Sequence, residues 1–306
     1  MNRLVAIVGP TAIGKTQLSL RLAQLCDTEI IGADSRQVYR FMDIGTAKPT
    51  QQELSLVPHH LIDIILPNED FSLAQYQNLT YQAIIDIQQR GKLPLLVGGS
   101  GMYVWSVLEG WTIPRVPPDN KLRQSLEEKA KEVGKEELYR ELARVDPVAT
   151  EQIDPNNVRR VIRALEVYQG TGLRFSQLKN KKTPSFEISI IGLTASREEL
   201  YRRIDDRVDE MIEQGLVDEV ESLLNMGYTV DLPAMSAIGY REISQFIRGD
   251  ITLDAAIQQM KYQTHRFARS QYSWFRLKDA RIKWLDIKDG LEREVEESLY
   301  GFARES

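Results

Sequence analysis

Leu4-Val5-Ala6-Ile7-Val8-Gly9-Pro10-Thr11-Ala12-Ile13-Gly14-Lys15-Thr16 lies at the head of the chain and decides the reading of the rest. Residues 4–8 form a short apolar run of β type, ended by Gly9. Leu18, Leu22 and Leu25 then recur at helical spacing, so 15–25 reads as an amphipathic helix. Between the two, residues 9–16 match G-x-x-x-x-G-K-[ST] in the strand-then-helix setting that gives this pattern its meaning. Glycines let the backbone curl so that its N–H groups face inward, and with the helix N-terminus they form a cradle for phosphate oxygens. Lys15 supplies a mobile positive charge, and the Thr16 hydroxyl is placed to reach a magnesium ion. Gly9, Pro10, Thr11, Ala12, Ile13, Gly14, Lys15 and Thr16 are therefore candidate phosphate-binding residues. The bland alternative is a glycine turn with a solvent lysine.

Outward from this loop, apolar runs and helical stretches alternate. Glu29–Gly32 reads as a second strand and 60–65 as a third short apolar piece. Ser72 is a suitable N-cap for a helix running to about Arg90, where Gly91 stops it. Leu93–Val97 reads as a buried strand closed by Gly98-Gly99-Ser100-Gly101. Such alternation implies an α/β fold with a P-loop NTPase-like parallel sheet. The pattern changes after Trp111. A proline-rich connector, Ile113–Pro118, leads into a charged helical stretch over 119–180 without strand signal, and 186–193 alternates like a returning strand. The economical division is a core over 1–115, a helical insertion over 116–185, and a return strand with C-terminal helices over 186–306. Helical periodicity marks 197–225, 236–248 and 252–274.

The chain has 306 residues, enough for two domains or a core with a large insertion, and 42% apolar residues, too many for a disordered chain. No run approaches the ~18–20 apolar residues of a membrane span. The N-terminus runs into the glycine loop and lacks a cleavage site, so no secretory signal is expected. A single cysteine, Cys26, excludes an internal disulfide framework and a thiolate zinc cluster, fits a reducing cytoplasm, and reads as a small buried residue.

Net charge is −5, a poor prior for nucleic-acid binding, yet it hides two basic stretches. Over 156–182 stand Arg159, Arg160, Arg163, Arg174, Lys179, Lys181 and Lys182 against Glu166 alone. Over 261–283 stand Lys261, Arg266, Arg269, Arg276, Lys278, Arg281 and Lys283 against Asp279. Aromatics interleave both, so a polyanion surface competes with a solvated helix face.

Most such loops hold ATP or GTP, usually with a second acid ending an apolar strand to position the metal. Here the strand 93–97 ends in glycines and serine. A carboxylate instead follows the second strand, as Asp34 in Gly32-Ala33-Asp34-Ser35-Arg36-Gln37. An acid at the carboxyl end of a parallel strand faces the crevice where ligands bind. The alternative is a helix N-cap. His59 and His60, with no cysteine nearby, read as structural or solvent-facing. Tyr76 and Tyr81 read as packing.

With these residues in hand, the chain resembles the bacterial tRNA dimethylallyltransferases. The segments that carry the resemblance are 9–16, Asp34-Ser-Arg-Gln-Val-Tyr39, Asp43-Ile-Gly-Thr-Ala-Lys-Pro49, His59-His-Leu-Ile-Asp63, Gly98-Gly-Ser-Gly-Met-Tyr103, Arg159-Arg-Val-Ile-Arg-Ala-Leu-Glu166, Ala237-Ile-Gly-Tyr240 and Trp274-Phe-Arg276. The resemblance implies transfer of a dimethylallyl group from dimethylallyl diphosphate to N6 of adenosine 37, beside the anticodon of tRNA. It implies that the loop grips the donor's diphosphate with Mg2+ at Thr16, with Lys15 and Thr16 balancing the departing charge. Asp34 would be the general base. Asp34, Ser35, Arg36 and Gln37 would meet the target adenosine and its neighbours. Arg207, or alternatively Arg203, would bind the diphosphate. Ser100 and Arg123 would touch tRNA, and Arg159, Arg160, Val161, Ile162 and Arg163 would grip the anticodon stem-loop. It further implies a cytoplasmic monomer with no membrane partner. The family's usual Thr-Arg-x-Tyr-Ala-Lys-Arg-Gln is here Thr264-His-Arg-Phe-Ala-Arg-Ser-Gln271, with positive charge lost at His265 and Ser270. Tyr103, Tyr240 and Trp274 are candidates to stack on bases, with core packing the competing fate of Trp274. Other readings are an adenylate isopentenyltransferase acting on free nucleotides, a small-molecule kinase, and a nonenzymatic RNA binder.

Overall fold

A computed structural model describes residues 2–114, 119–178, 181–287 and 295. The chain forms two compact units: one from residues 1–108 and 184–306, the other from 109–183. Arg115–Pro118 of the proline-rich connector and Lys179 of the first basic stretch lie outside the described residues.

The first unit is built on six parallel strands. In chain order its elements are β1 (Arg3–Val8), α1 (Lys15–Leu25), β2 (Thr28–Gly32), α2 (Gln51–Leu56), β3 (His59–His60), α3 (Leu73–Gln89), β4 (Leu93–Gly98) and α4 (Gly101–Leu108). The second unit supplies α5 (Asn120–Glu132), α6 (Lys135–Val145), α7 (Pro147–Thr150) and α8 (Val158–Thr171). The chain then returns with β5 (Glu187–Thr194), α9 (Arg197–Glu213), α10 (Leu216–Asn225), α11 (Tyr240–Ile247), α12 (Leu253–Trp274) and β6 (Ile282–Asp286). The strand order is β3-β2-β4-β1-β5-β6. β1 sits between β4, with Val8 opposite Gly98, and β5, with Val8 opposite Gly192. The α/β expectation with a parallel sheet core therefore holds.

A strand flanked on both sides and covered on both faces must be apolar throughout. Leu4 to Val8 are all fully buried, as are Leu95 and Leu96 of β4. Val5, Ile7, Leu18, Leu22, Leu95, Ile191, Leu193 and Ile204 join one cluster that locks α1 and α9 to the sheet. Capping fixes the helix starts: Ser72 accepts from the Gln75 N–H and Gln75 answers to the Ser72 N–H, which sets α3 where the sequence predicts it.

Some expectations are corrected. The third apolar piece is a strand only at His59–His60, because Leu61 (φ 64) and Asp63 (φ 56) turn into the left-handed region and end the pairing. The helical stretch 197–225 is two helices, broken at Gly215 (φ 95). Helix α11 starts at Tyr240, later than the periodicity suggested. Strand β6 and helices α2 and α4 carried no legible signal. Cys26 is half-buried at the end of α1 instead of enclosed.

The second unit packs its own core from Leu126, Leu138, Leu142, Ile153, Val161, Ile162 and Leu165. Within it Glu166 is 1% exposed and accepts from Arg123 (2.8 Å), Arg163 (2.5 Å) and the Asp119 backbone N–H (2.8 Å).

Candidate active site

The phosphate loop is shaped by three backbone positions that few residues tolerate. A Cβ on Gly9 (φ 145) would stand 2.6 Å from the Leu193 carbonyl oxygen of β5. Ala12 (φ 62) and Gly14 (φ 96) both take positive φ, so the backbone curls and turns its amides to one side, an anion-binding nest. Gly14 caps α1 with no side-chain acceptor, so the first-turn N–H groups of that helix keep their donor capacity. Lys15 is folded onto the loop itself, donating to the carbonyls of Gly9 (3.0 Å) and Pro10 (2.6 Å). Burial pulls its ammonium down to about 7, Arg207 pushes the same way, and Asp34 opposes them.

Asp34 follows β2 at the same edge of the sheet. Its Oδ1 accepts from the Arg36 backbone N–H at 2.8 Å, closing a turn. Among the described residues no helix follows until Gln51, so Asp34 is not a helix N-cap. The turn is tied to the end of β4. Ser35 N–H donates to Ser100 Oγ (3.0 Å), and Ser100 N–H donates to the Ala33 carbonyl (3.1 Å). Gly98 makes this approach possible, since a Cβ there would sit 2.1 Å from Ala33 O. Arg36 donates to Pro233 O (2.6 Å) and to Ser236 Oγ (3.4 Å). The Gln37 amide donates through Nε2 to Thr46 O (3.1 Å) and Ala47 O (3.0 Å), which leaves Oε1 as its remaining hydrogen-bonding group.

These two edges enclose a cavity of about 190 Å³. Thr11 to Thr16 line one side, and Asp34, Gln37 and Thr46 to Pro49 another. Gly98, Gly99, Arg207 and Gln271 complete it, while Ile30, Ile62 and Val97 give it an apolar part. Of the two arginine alternatives, Arg207 reaches the cavity, where burial draws its guanidinium down, whereas Arg203 is paired with Glu199 at 2.6 Å. His59 also lines the cavity, its Nδ1 2.8 Å from Val57 O, while His60 lies 2.7 Å from buried Glu29.

Sequence reasoning missed Gln271 as a cavity residue. It is 3% exposed, accepts from the Thr11 N–H (2.8 Å) and donates to Gly99 O (2.9 Å), bridging the phosphate loop to the loop after β4. The signal available was its place at the end of the 264–271 motif. His265, where charge is lost, stacks on Tyr201 with ring centroids 4.0 Å apart.

Several expected contacts fall elsewhere. Val161 and Ile162 are 1% and 3% exposed in the helical unit's core, so their side chains face no RNA; they hold α8 in place. Arg159 and Arg160 on the same helix are exposed, whereas Arg123 and Arg163 are drawn onto Glu166. Tyr240 is fully buried and Tyr103 stacks on Tyr76 at 3.7 Å, so neither ring is open to a base. Trp274 is not core: it is 41% exposed and covers Gly101. Among the described residues no helix is long and apolar enough to cross a membrane, and no group of three or more metal-ligating side chains gathers.

The profile of the IPP transferase family matches residues 37–278. A tRNA dimethylallyltransferase of Roseiflexus castenholzii is 56% identical over 276 residues, covering 90% of each chain. The crystal structure of the tRNA isopentenylpyrophosphate transferase of Bacillus halodurans aligns over 100% of this chain and 98% of its own, with 42% identity and a TM-score of 0.74. A eukaryotic dimethylallyltransferase acting on tRNA aligns over 99% of this chain and 78% of its own, with 28% identity and a TM-score of 0.82. A shared profile across most of the chain, and relatives this similar over nearly their whole length, place the chain in the IPP transferase family of tRNA dimethylallyltransferases.

Proposed function

We propose that the protein transfers the dimethylallyl group of dimethylallyl diphosphate to the exocyclic N6 of adenosine 37 in the tRNA anticodon stem-loop, releasing diphosphate. The observation that carries this reading is the cavity that sets Lys15, Arg207 and the curled amides of 11–16 on one side and Asp34 on the other. The cations and amides suit a diphosphate; the carboxylate suits an amine.

In this mechanism the C1–O bond of the donor breaks and its electron pair leaves with diphosphate, while the N6 lone pair forms the new bond to C1. The allyl group spreads positive charge, so the protein's work is to stabilise the departing anion and align N6 with C1. The ammonium of Lys15, folded onto Gly9 and Pro10 carbonyls, is within a short swing of the anion, whose charge favours its protonated form. Arg207 adds a second cation. Adenine N6 is a weak nucleophile because its lone pair is delocalised, and Asp34 accepts its proton as the bond forms. Thr16 would hold Mg2+ through its hydroxyl. A cavity lined by the Thr16 hydroxyl and only two carboxylates, Asp34 and Glu53, suits an ion that keeps most of its waters. When bound, the ion would neutralise diphosphate charge.

Pulling the target base from its loop costs a few kcal/mol. Phosphate contacts from exposed Arg159 and Arg160 would offset it and make affinity fall with salt. On this reading the protein works as a monomer in the cytoplasm. Labelled dimethylallyl diphosphate offered with tRNA, AMP or ATP tests the proposal. Label in tRNA at N6 of adenosine is expected; label in free nucleotide, or phosphoryl transfer without prenylation, would overturn it.

A further inference from the structure

Two motifs that the transfer chemistry leaves unused, Asp43-Ile-Gly-Thr-Ala-Lys-Pro49 and Ala237-Ile-Gly-Tyr240, meet at one carboxylate. Glu219 on α10 accepts through Oε2 from the backbone N–H groups of Asp43 (2.9 Å) and Ile44 (2.8 Å). Through Oε1 it accepts from the N–H of Gly45 (3.1 Å) and the hydroxyl of Tyr240 (2.6 Å). The Tyr240 ring packs against Gly45, where a Cβ would come within 2.5 Å of Cε2. Burial pushes the phenol up, so it stays a neutral donor.

The far half of this loop faces the cavity. Thr46 and Ala47 line it, and their carbonyls take both hydrogens of the Gln37 amide. An amide whose two N–H bonds are spent presents only its oxygen to a ligand. Lys48 anchors the other end of the loop, donating to Tyr39 O (2.9 Å) and paired with Asp63 (2.5 Å). Losing the Glu219 contacts therefore loosens the loop without releasing it.

We propose that Glu219 and Tyr240 are positioning residues for the acceptor: their clasp fixes the 43–47 loop, the loop fixes the Gln37 amide, and Gln37 Oε1 is thereby held as an acceptor for a hydrogen of the entering purine's amino group. This rests on the transfer reading above. The clasp acts on the acceptor side, while the diphosphate side is built from 9–16 and Arg207.

The test is steady-state transfer from dimethylallyl diphosphate to tRNA by the full chain and its Glu219→Gln and Tyr240→Phe variants. Glu219→Gln turns an NH2 toward backbone donors, and kcat/KM for tRNA is expected to fall by about 10- to 100-fold. The donor KM is expected to stay within about 2-fold, because uniform donor binding is untouched. Tyr240→Phe keeps the ring on Gly45 and removes one contact of four; a fall of about 2- to 5-fold in the same parameter is expected. Hydrogen exchange over 43–47 should quicken in Glu219→Gln. Unchanged kcat/KM for tRNA, or equal losses in the tRNA and donor parameters, would overturn the clasp. If Glu219→Gln does not fold, Tyr240→Phe decides alone on the same two parameters. Inactivity of the unsubstituted chain would end the transfer reading and this proposal together; an active chain with indifferent variants would end only this proposal.

Discussion

Replacing Gln271 by Leu breaks both ends of the bridge between the phosphate loop and the loop after β4. The side chain is 3% exposed and makes two hydrogen bonds, from Thr11 N–H at 2.8 Å and to Gly99 O at 2.9 Å. Leucine fills most of the volume but leaves both backbone groups without their partner. A buried group stranded in this way costs about 1–3 kcal/mol. Gly99 is buried and bears that cost in full, whereas Thr11 is half-buried at the cavity and water can reach its N–H. The sum is about 2–3 kcal/mol, which for a body of this size lowers Tm by about 5–10 °C. The same change frees Thr11 to drift, so the donor KM should rise about tenfold, equivalent to ~1.4 kcal/mol. Thermal unfolding with and without inorganic pyrophosphate, together with the donor KM, reads both effects. Gln271→Glu keeps an acceptor for Thr11 N–H but sets a carboxylate against the Gly99 carbonyl and a negative charge beside the proposed diphosphate site, so it should lose at least as much stability as Gln271→Leu and more donor affinity. A Gln271→Leu protein with Tm and donor KM both unchanged would refute the reasoning.

Asp34→Asn should cost about 10²- to 10⁴-fold in turnover while pyrophosphate affinity, by calorimetry, stays within a few-fold, since in the proposed mechanism the carboxylate accepts the N6 proton and does not hold the anion. Charge reversal at Arg159 and Arg160 should weaken tRNA binding and flatten the slope of log affinity against log salt by about 2 in a filter assay. Arg163→Glu should instead lower the Tm of the chain, because it sets a second acid against buried Glu166. Glu29 is fully buried; burial alone raises its carboxyl, but His60, Arg90 and Lys92 outweigh this and hold it below the ordinary 4.5. Its stabilisation is therefore present above about pH 4.5 and lost as pH falls through the lower folded value, so Glu29→Gln should lose stability at pH 7 and show a shallower acid limb in denaturant melts. With Arg90 and Lys92 partly in solvent, the neutral-pH loss is about 1–3 kcal/mol.

How legible the molecule is from its sequence varies with the range of the forces involved. Helix α1, capped α3 and strands β1 and β4 were readable because propensity, periodicity and a cap sit within a few residues of one another. The phosphate loop was readable for the same reason: glycines at 9 and 14 and a lysine at 15 are a local answer to a backbone that must curl. Strand β6 was missed because Ile282–Asp286 carries two charges and gains its place only by pairing with β5. The basic run over 156–182 misled as to side-chain fate. Spacing shows seven cations and one acid, but not that the acid is buried and draws Arg163 and Arg123 to itself.

Alone, the order of residues determined that a parallel α/β core carries a curled glycine loop after its first strand and a carboxylate after its second, because turns, caps and apolar runs are satisfied by near neighbours. Only the folded chain decided that Arg207 and not Arg203 faces the cavity, that Gln271 joins two loops 172 positions from Gly99, and that Glu219 gathers three amides from a loop some 175 residues away. Those contacts depend on how α9 and α12 pack on the sheet and how α10 packs on α9 and α11, and packing between distant segments leaves no periodic mark along the chain.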